Sequence, residues 1–155
     1  MRLTAFTDYA LRALMRLAGE PKRTFTTDEI AREFAISRHH LTKVVRELGE
    51  GGFIATQRGA GGGFRLARPA EKITLGEVVR LLEARHAMVE CFRADGGACV
   101  LTPRCRLKSK LALAARAFIA ELDRTTLAEC AYTARPADRP RTGTLSKSRR
   151  GTEQV

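Results

Sequence analysis

Three of the four cysteines, Cys91, Cys99 and Cys105, fall within fifteen residues, separated by seven and then five positions. Clustered thiols bind soft metals or exchange with one another, so chemistry is expected in this segment. The spacing holds no Cys-x-x-Cys pair, which a zinc ribbon or a thioredoxin-type redox motif needs. Three thiolates on one loop, completed by a ligand from elsewhere, suit an iron-sulfur cluster. Thiol or disulfide chemistry and burial as small apolar residues stand beside that reading. Against burial, Cys91 to Cys99 encloses Arg93, Asp95, Gly96 and Gly97, a polar stretch foreign to a core. Cys130, among apolar residues, reads as a core position.

No long uncharged apolar run marks a membrane span, so a soluble protein is expected. Asp8, Arg12 and Arg16 interrupt any apolar run near the start, so no export signal is expected. A reducing cytoplasmic setting follows, where structural disulfides are disfavoured. In 155 residues, one domain or a small domain with an extension, the net charge of +11 favours a polyanionic partner. A solvated basic face is the plainer alternative. The excess is local: residues 1–70 carry twelve Lys/Arg against seven Asp/Glu, residues 71–105 five against five, and residues 135–155 six against two.

The elements that would position these groups follow from periodicity. Leu3, Phe6, Ala10, Ala13, Leu14 and Leu17 predict an amphipathic helix over 2–18, with Asp8, Arg12 and Arg16 as its polar stripe. Thr26 and Glu29 form a capping box for a second helix to about Phe34. Ser37 caps a third, to about Gly49. On that third helix Leu41, Val44, Val45 and Leu48 share one face, and His39, Thr42, Lys43 and Arg46 the opposite one. The pair resembles a helix-turn-helix, whose second helix enters the major groove, its first residues, here including Ser37 and His40, reaching base edges. Any small helical bundle also has a polar face.

Phe53 to Arg58 and Phe64 to Ala67 read as strands joined by a glycine-rich tip, a wing directly after the reading helix. Arg58, Arg65 and Arg68 flank the tip, and an arginine there can enter a narrow minor groove. The glycine run lacks the order of a nucleotide-binding loop. Thr74 and Glu77 cap a short helix to about Ala84. Thr102 and Pro103 mark the start of a long apolar-striped helix to about Cys130, with Cys105 in its first turn. The fold class expected is mainly α with a small β-hairpin. Residues 1–70 form a winged helix-turn-helix domain, 71–134 a cluster-binding loop and dimerisation helix, and 135–155 a disordered basic tail.

Three stretches together resemble the NsrR family: Met1-Arg2-Leu3-Thr4-Ala5-Phe6-Thr7-Asp8-Tyr9-Ala10-Leu11-Arg12, the wing Arg58 to Leu66 with Pro69-Ala70, and Leu101-Thr102-Pro103-Arg104-Cys105-Arg106-Leu107-Lys108. This family of nitric-oxide-sensing repressors belongs to a superfamily of bacterial winged-helix regulators that includes IscR and RirA. The resemblance covers about residues 1–133. It implies a homodimer with crossed long helices on a palindromic double-stranded DNA operator, a 4Fe-4S cluster, and repression relieved by nitric oxide. By position it implies Cys91, Cys99 and Cys105 as cluster thiolates and Asp8 as an oxygen ligand supplied across the dimer. The residues alone equally allow Asp8 a surface pair with Arg12, four positions on. The seven-residue gap and the stretch Ala87 to Phe92 resemble RirA as well, while Asp8 is atypical of it. IscR-like proteins carry a histidine where Lys108 stands, and His86 reads as surface. An iron- or cluster-status regulator is the nearest alternative. A zinc or thiol switch and an iron-sulfur redox enzyme come after it, the last without any acid-base constellation to support it.

Overall fold

The computed structural model describes residues 3–59, 61–84 and 86–134, so the expectations for Arg2, for Ala60 at the wing tip and for the tail from 135 lie outside the described residues. Helix α1 spans Ala5–Gly19, and the Thr4 hydroxyl accepts a hydrogen bond from the Thr7 N–H at 3.2 Å as its cap. Ala10, Ala13, Leu14 and Leu17 are fully buried, the face that the spacing predicts. The polar stripe behaves differently along its length. Asp8 and Arg12 pair at the surface, but Arg16 is only 3% exposed. Its guanidinium binds Glu20 at 2.7 Å and Glu33 at 2.9 Å and lies 4.7 Å from the centre of the Phe25 ring. Burial pulls its pKa down, but the two carboxylates outweigh that and raise it.

Helix α2 (Thr27–Glu33) begins at the expected capping box, with both reciprocal hydrogen bonds of Thr26 and Glu29 present. Ala35, in the left-handed region at φ 53°, makes the turn into α3 (Arg38–Glu50), capped by Ser37. Strands β1 (Ile54–Gln57) and β2 (Gly63–Leu66) form the antiparallel hairpin, with Ile54 opposite Leu66 and Gln57 opposite Gly63. Phe25 adds an antiparallel bridge to the hairpin: its N–H donates to Phe64 O at 2.9 Å and its carbonyl accepts from the Phe64 N–H at 2.8 Å.

Helix α4 (Leu75–Glu83) starts at the expected Thr74–Glu77 box. Beyond it, the long helix expected from Thr102 to about Cys130 divides. Thr102–Arg104 is a single 3-10 turn, and Cys105, extended at φ −78° and ψ 107°, breaks the chain before α5 (Arg106–Leu122). Cys105 therefore occupies the cap position and not the first turn, and Thr102 caps nothing. At the far end Arg80 grips Asp123 with two hydrogen bonds, at 2.8 and 2.7 Å. Thr126 then bridges Thr74, and the Leu127 N–H donates to Ile73 O at 2.8 Å, which buries Leu127 completely. A continued helix would carry Leu127 away from that core site. Cys130 ends a separate short turn, half-buried instead of in the core.

The last residue of α4 ties the two ends of this arrangement together. Glu83 Oε1 accepts from the Thr4 N–H at 2.8 Å, the Thr4 hydroxyl at 2.9 Å and the Thr7 hydroxyl at 2.5 Å. The carboxylate thus sits at the positive end of α1. Burial pushes its pKa up, but these hydrogen bonds outweigh it and hold the carboxyl below its ordinary value of 4.5. A depressed carboxylate contributes stability that is present above the ordinary value and is lost as pH falls through the depressed one. Glu83→Gln should cost about 1.5–3 kcal/mol at neutral pH, the range for hydrogen bonds to a charged group. In urea titrations of both proteins, that difference should shrink as pH falls below about 4.5; a gap independent of pH would deny the charge any role.

Candidate nucleic-acid interface and cysteine loop

Helix α3 has one face for the core and one for solvent. Leu41, Val44 and Leu48 are buried, while His39, Thr42, Lys43 and Arg46 are exposed. Polar groups on the outer face differ in how far they are committed. The Ser37 oxygen accepts the His40 N–H at 3.2 Å as the cap. The His40 ring turns toward α1 and stacks on Tyr9, centroids 6.3 Å apart. Thr42 donates its hydroxyl hydrogen to Arg38 O at 2.9 Å, and Arg46 lies 3.8 Å from Glu50, both side chains largely exposed. Lys43 projects with no partner among the described residues.

On the hairpin, Arg58 and Arg65 are exposed. Arg68 is not a third free cation. It donates to Lys72 O at 2.7 Å and to Glu77 at 3.3 Å, with its guanidinium 5.2 Å from the Phe53 ring centre. Glycine suits three of the tip positions: Gly59 and Gly61 have φ of 98° and 78°, and a Cβ on Gly62 would stand 2.6 Å from Gln57 O. Sequence reasoning missed Phe25, which anchors the wing from outside it. One signal was present, since Phe25 immediately precedes the Thr26 box, but a lone bridging residue has no periodicity to reveal it. Phe25 is 1% exposed, with the guanidinium groups of Arg16 and Arg23 4.7 and 4.5 Å from its ring centre. Phe25→Ala should destabilise the protein by about 3–5 kcal/mol, and hydrogen exchange should show lost protection at the Phe64 amide beyond that at Leu66.

The cysteine segment is built of turns. Cys91 lies in the turn Glu90–Phe92, Cys99 precedes the turn at Thr102, and Cys105 holds the cap position of α5 without a side-chain cap hydrogen bond; all three cysteines are free and half-buried. The loop folds back on Glu90, whose carboxylate accepts the Ala98 N–H at 3.1 Å. Gly97, at φ 61°, approaches so closely that a Cβ would meet Glu90 O at 2.6 Å. Cys91 and Cys99, each one residue from that hydrogen bond, therefore stand at the two feet of the loop. A cavity of about 520 Å³ lined by Val100, Leu101, Arg104 and Cys105 opens beside the third thiol. The carboxylates nearby are engaged: Asp95 pairs with Arg93 at 2.7 Å and accepts the Gly97 N–H at 3.0 Å. Sulfur is thus the donor left free, which fits a soft, iron-bearing group better than a hard cation. Among the described residues no three His, Cys, Asp or Glu side chains converge into a metal site, and Asp8 is held by Arg12 at 2.8 Å on a different element. His86 is exposed, 3.7 Å from Glu83.

The sequence pattern of Rrf2, described as an iron-dependent transcriptional regulator, matches residues 3–133. The chain belongs to the Rrf2 family. It is 47% identical to the HTH-type transcriptional regulator NsrR of Geobacillus kaustophilus (strain HTA426) over 97% of this chain and all of that protein. With the NsrR of Bacillus subtilis (strain 168) it shares 46% identity over 82% of this chain and 88% of the relative. Among solved structures, CymR (YrzC), the global cysteine regulator of B. subtilis, superposes with a TM-score of 0.68 at 29% identity, covering 86% of this chain and 99% of CymR. T. potens IscR matches in fold, with a TM-score of 0.66 at 23% identity over 83% of this chain and 85% of its own. This Rrf2 protein is accordingly a DNA-binding transcriptional regulator of the winged-helix type and not an enzyme. No helix among its described residues is long and apolar enough to cross a membrane.

Proposed function

We propose that this Rrf2 chain is a homodimeric, cytoplasmic repressor that senses nitric oxide through a 4Fe-4S cluster. The observation that carries the reading is the cysteine loop, two of its thiols at the feet of a closed loop and the third at the cap of α5, in a chain similar over nearly its whole length to NsrR. Cys91, Cys99 and Cys105 would hold the cluster, with Asp8 of the partner subunit as the oxygen ligand. Bound there, the cluster supplies iron open to a small diatomic ligand, since a carboxylate is the weaker iron ligand of the set. Freeing Asp8 from Arg12 costs little, because exposed ion pairs four residues apart are worth a few tenths of a kcal/mol.

The dimer reading is supported by α5, which has no fully buried side chain and leaves the apolar Leu107 62% and Leu113 56% exposed. A two-fold pair of α3 helices would read half-sites about one helical turn or a multiple apart in a palindromic operator. Ser37, His39, His40, Thr42, Lys43 and Arg46 make up the reading face, with Arg58 and Arg65 on the wing. Lys43 and Arg46 would mostly meet phosphates. Replacing both with alanine should weaken operator binding and reduce the slope of log affinity against log salt by about 2, one for each lost phosphate contact. Unchanged affinity in gel-shift titrations would remove α3 as the reader.

The sensing test is operator affinity of the anaerobically reconstituted protein before and after nitric oxide, beside a chelation control. A hundredfold loss with nitric oxide is expected, a coupling of about 2.7 kcal/mol. Loss on chelation alone would favour the second reading, an iron-status regulator, which the family's description as iron-dependent keeps in view. Indifference to both treatments would end the sensor reading.

A further inference from the structure

Thr102 stands midway between two of the clustered cysteines, three residues after Cys99 and three before Cys105. Its backbone is secured, since its N–H donates to Cys99 O at 3.1 Å. Its hydroxyl is not: Oγ1 is buried and has no hydrogen-bond partner. A threonine hydroxyl can donate one hydrogen bond and accept two, and leaving it buried and unpaired is unfavourable. Capping does not account for it, because α5 begins four residues later with no side-chain cap. Arg16 Nη1 is likewise buried and unpaired, but the other nitrogens of that guanidinium bind Glu20 and Glu33. Thr102 has no such compensation, and valine, nearly the same in shape, would fill the space without the penalty.

We propose that Thr102 is a positioning residue for the sulfur site, its hydroxyl donating a hydrogen bond to the sulfur shell of the group that Cys91, Cys99 and Cys105 hold. The inference rests on the cluster reading above and assigns a role to a residue outside the ligand set. The cysteines flank Thr102 on both sides, so folding of the loop around a sulfur-rich group brings sulfur acceptors to a buried side-chain donor that lacks a partner. Hydrogen bonds to such sulfurs tune the potential of a cluster, and partners behind the ligands orient them. A donor aimed at sulfur stabilises the more negative, reduced form. Thr102 thereby raises the potential and slows loss of the group.

The test compares wild type, Thr102→Val and Thr102→Ser, each reconstituted anaerobically with iron and sulfide. Equal loading is expected in all three. The midpoint potential of Thr102→Val should fall by about 59 mV, a tenfold change in a one-electron equilibrium, with shifted iron-sulfur stretching frequencies in resonance Raman spectra. Thr102→Ser, which keeps the hydroxyl, should restore both. In the metal-free protein, Thr102→Val should melt at the same or a higher temperature. Identical potentials and spectra in wild type and Thr102→Val would overturn the proposal, as would a lowered melting temperature of the metal-free variant, which would give the hydroxyl a partner within the protein. Should Thr102→Val fail to retain iron, full loading of Thr102→Ser supports the role and equal failure overturns it. A wild type that takes up neither iron nor sulfide would instead sink the cluster reading, and this proposal with it.

Discussion

Burial of α1 is the constraint on which the rest of the molecule depends. One short helix packs against α3, the second strand of the wing, α4 and the turn at Ala128–Cys130. Leu14 and Leu17 are sealed in the core, each contributing about 1.5–3 kcal/mol. Arg16, on the next face, is acceptable there only because Glu20 and Glu33 neutralise it, since an unpaired buried charge would cost several kcal/mol. A close-packed helix of this kind cannot tilt at one end without disturbing the other. Helix α3 and the segment leading to the cysteines therefore share a rigid neighbour.

The polar and apolar contacts are distributed unevenly along the chain. Up to Glu83, caps are satisfied and apolar faces are covered. From Met88 to Leu122 the described residues include no fully buried side chain, and Val100 and Leu101 are 90% and 66% exposed. Such a segment is not stabilised by its own core, and on the proposed reading the second subunit and the sulfur-bound group supply what the single chain lacks. The same logic explains why the cysteines are arranged by turns and glycines. On that reading, glycines let the backbone take the turns that a loop closing around such a group would need.

Much of the fold was legible because its boundaries are chemical. The Thr26–Glu29 and Thr74–Glu77 boxes and the Ser37 cap fix helix starts through local hydrogen bonds that a sequence displays directly. The failures share a cause. Apolar spacing continues through Leu122 to Cys130, yet the helix ends at Leu122 because Ile73 and Thr74 recruit the following residues. Arg65 and Arg68 look alike in sequence, but only Arg68 finds a carbonyl and a carboxylate within reach. Arg16 reads as surface until α2 covers it. Periodicity reports which residues of an element share a side; it does not report which distant element arrives to cover that side. The proposed ligand set is of the second kind: three cysteines are visible as neighbours in sequence, but whether they meet one another or Asp8 depends on contacts that spacing does not encode, and among the described residues they do not converge.

Magnitudes decide how a change at the cysteine loop could reach α3. The Asp8–Arg12 pair is exposed and worth a few tenths of a kcal/mol, so switching the partner of Asp8 cannot by itself supply the 2.7 kcal/mol, or about that, needed for a hundredfold change in DNA affinity. The contacts of Glu83 with Thr4 and Thr7 are of the required size, being charge-assisted and partly buried. They join the helix that feeds the cysteine loop to the start of α1, and one turn further on Tyr9 stacks against His40 in the first turn of α3. A movement of α4 would thus be felt at the first turn of α3 through two successive contacts, neither of which involves a side chain at the tip of a loop. On the proposed reading, the weak ion pair would be the element exchanged cheaply, and the Glu83 contacts the element that carries the energy.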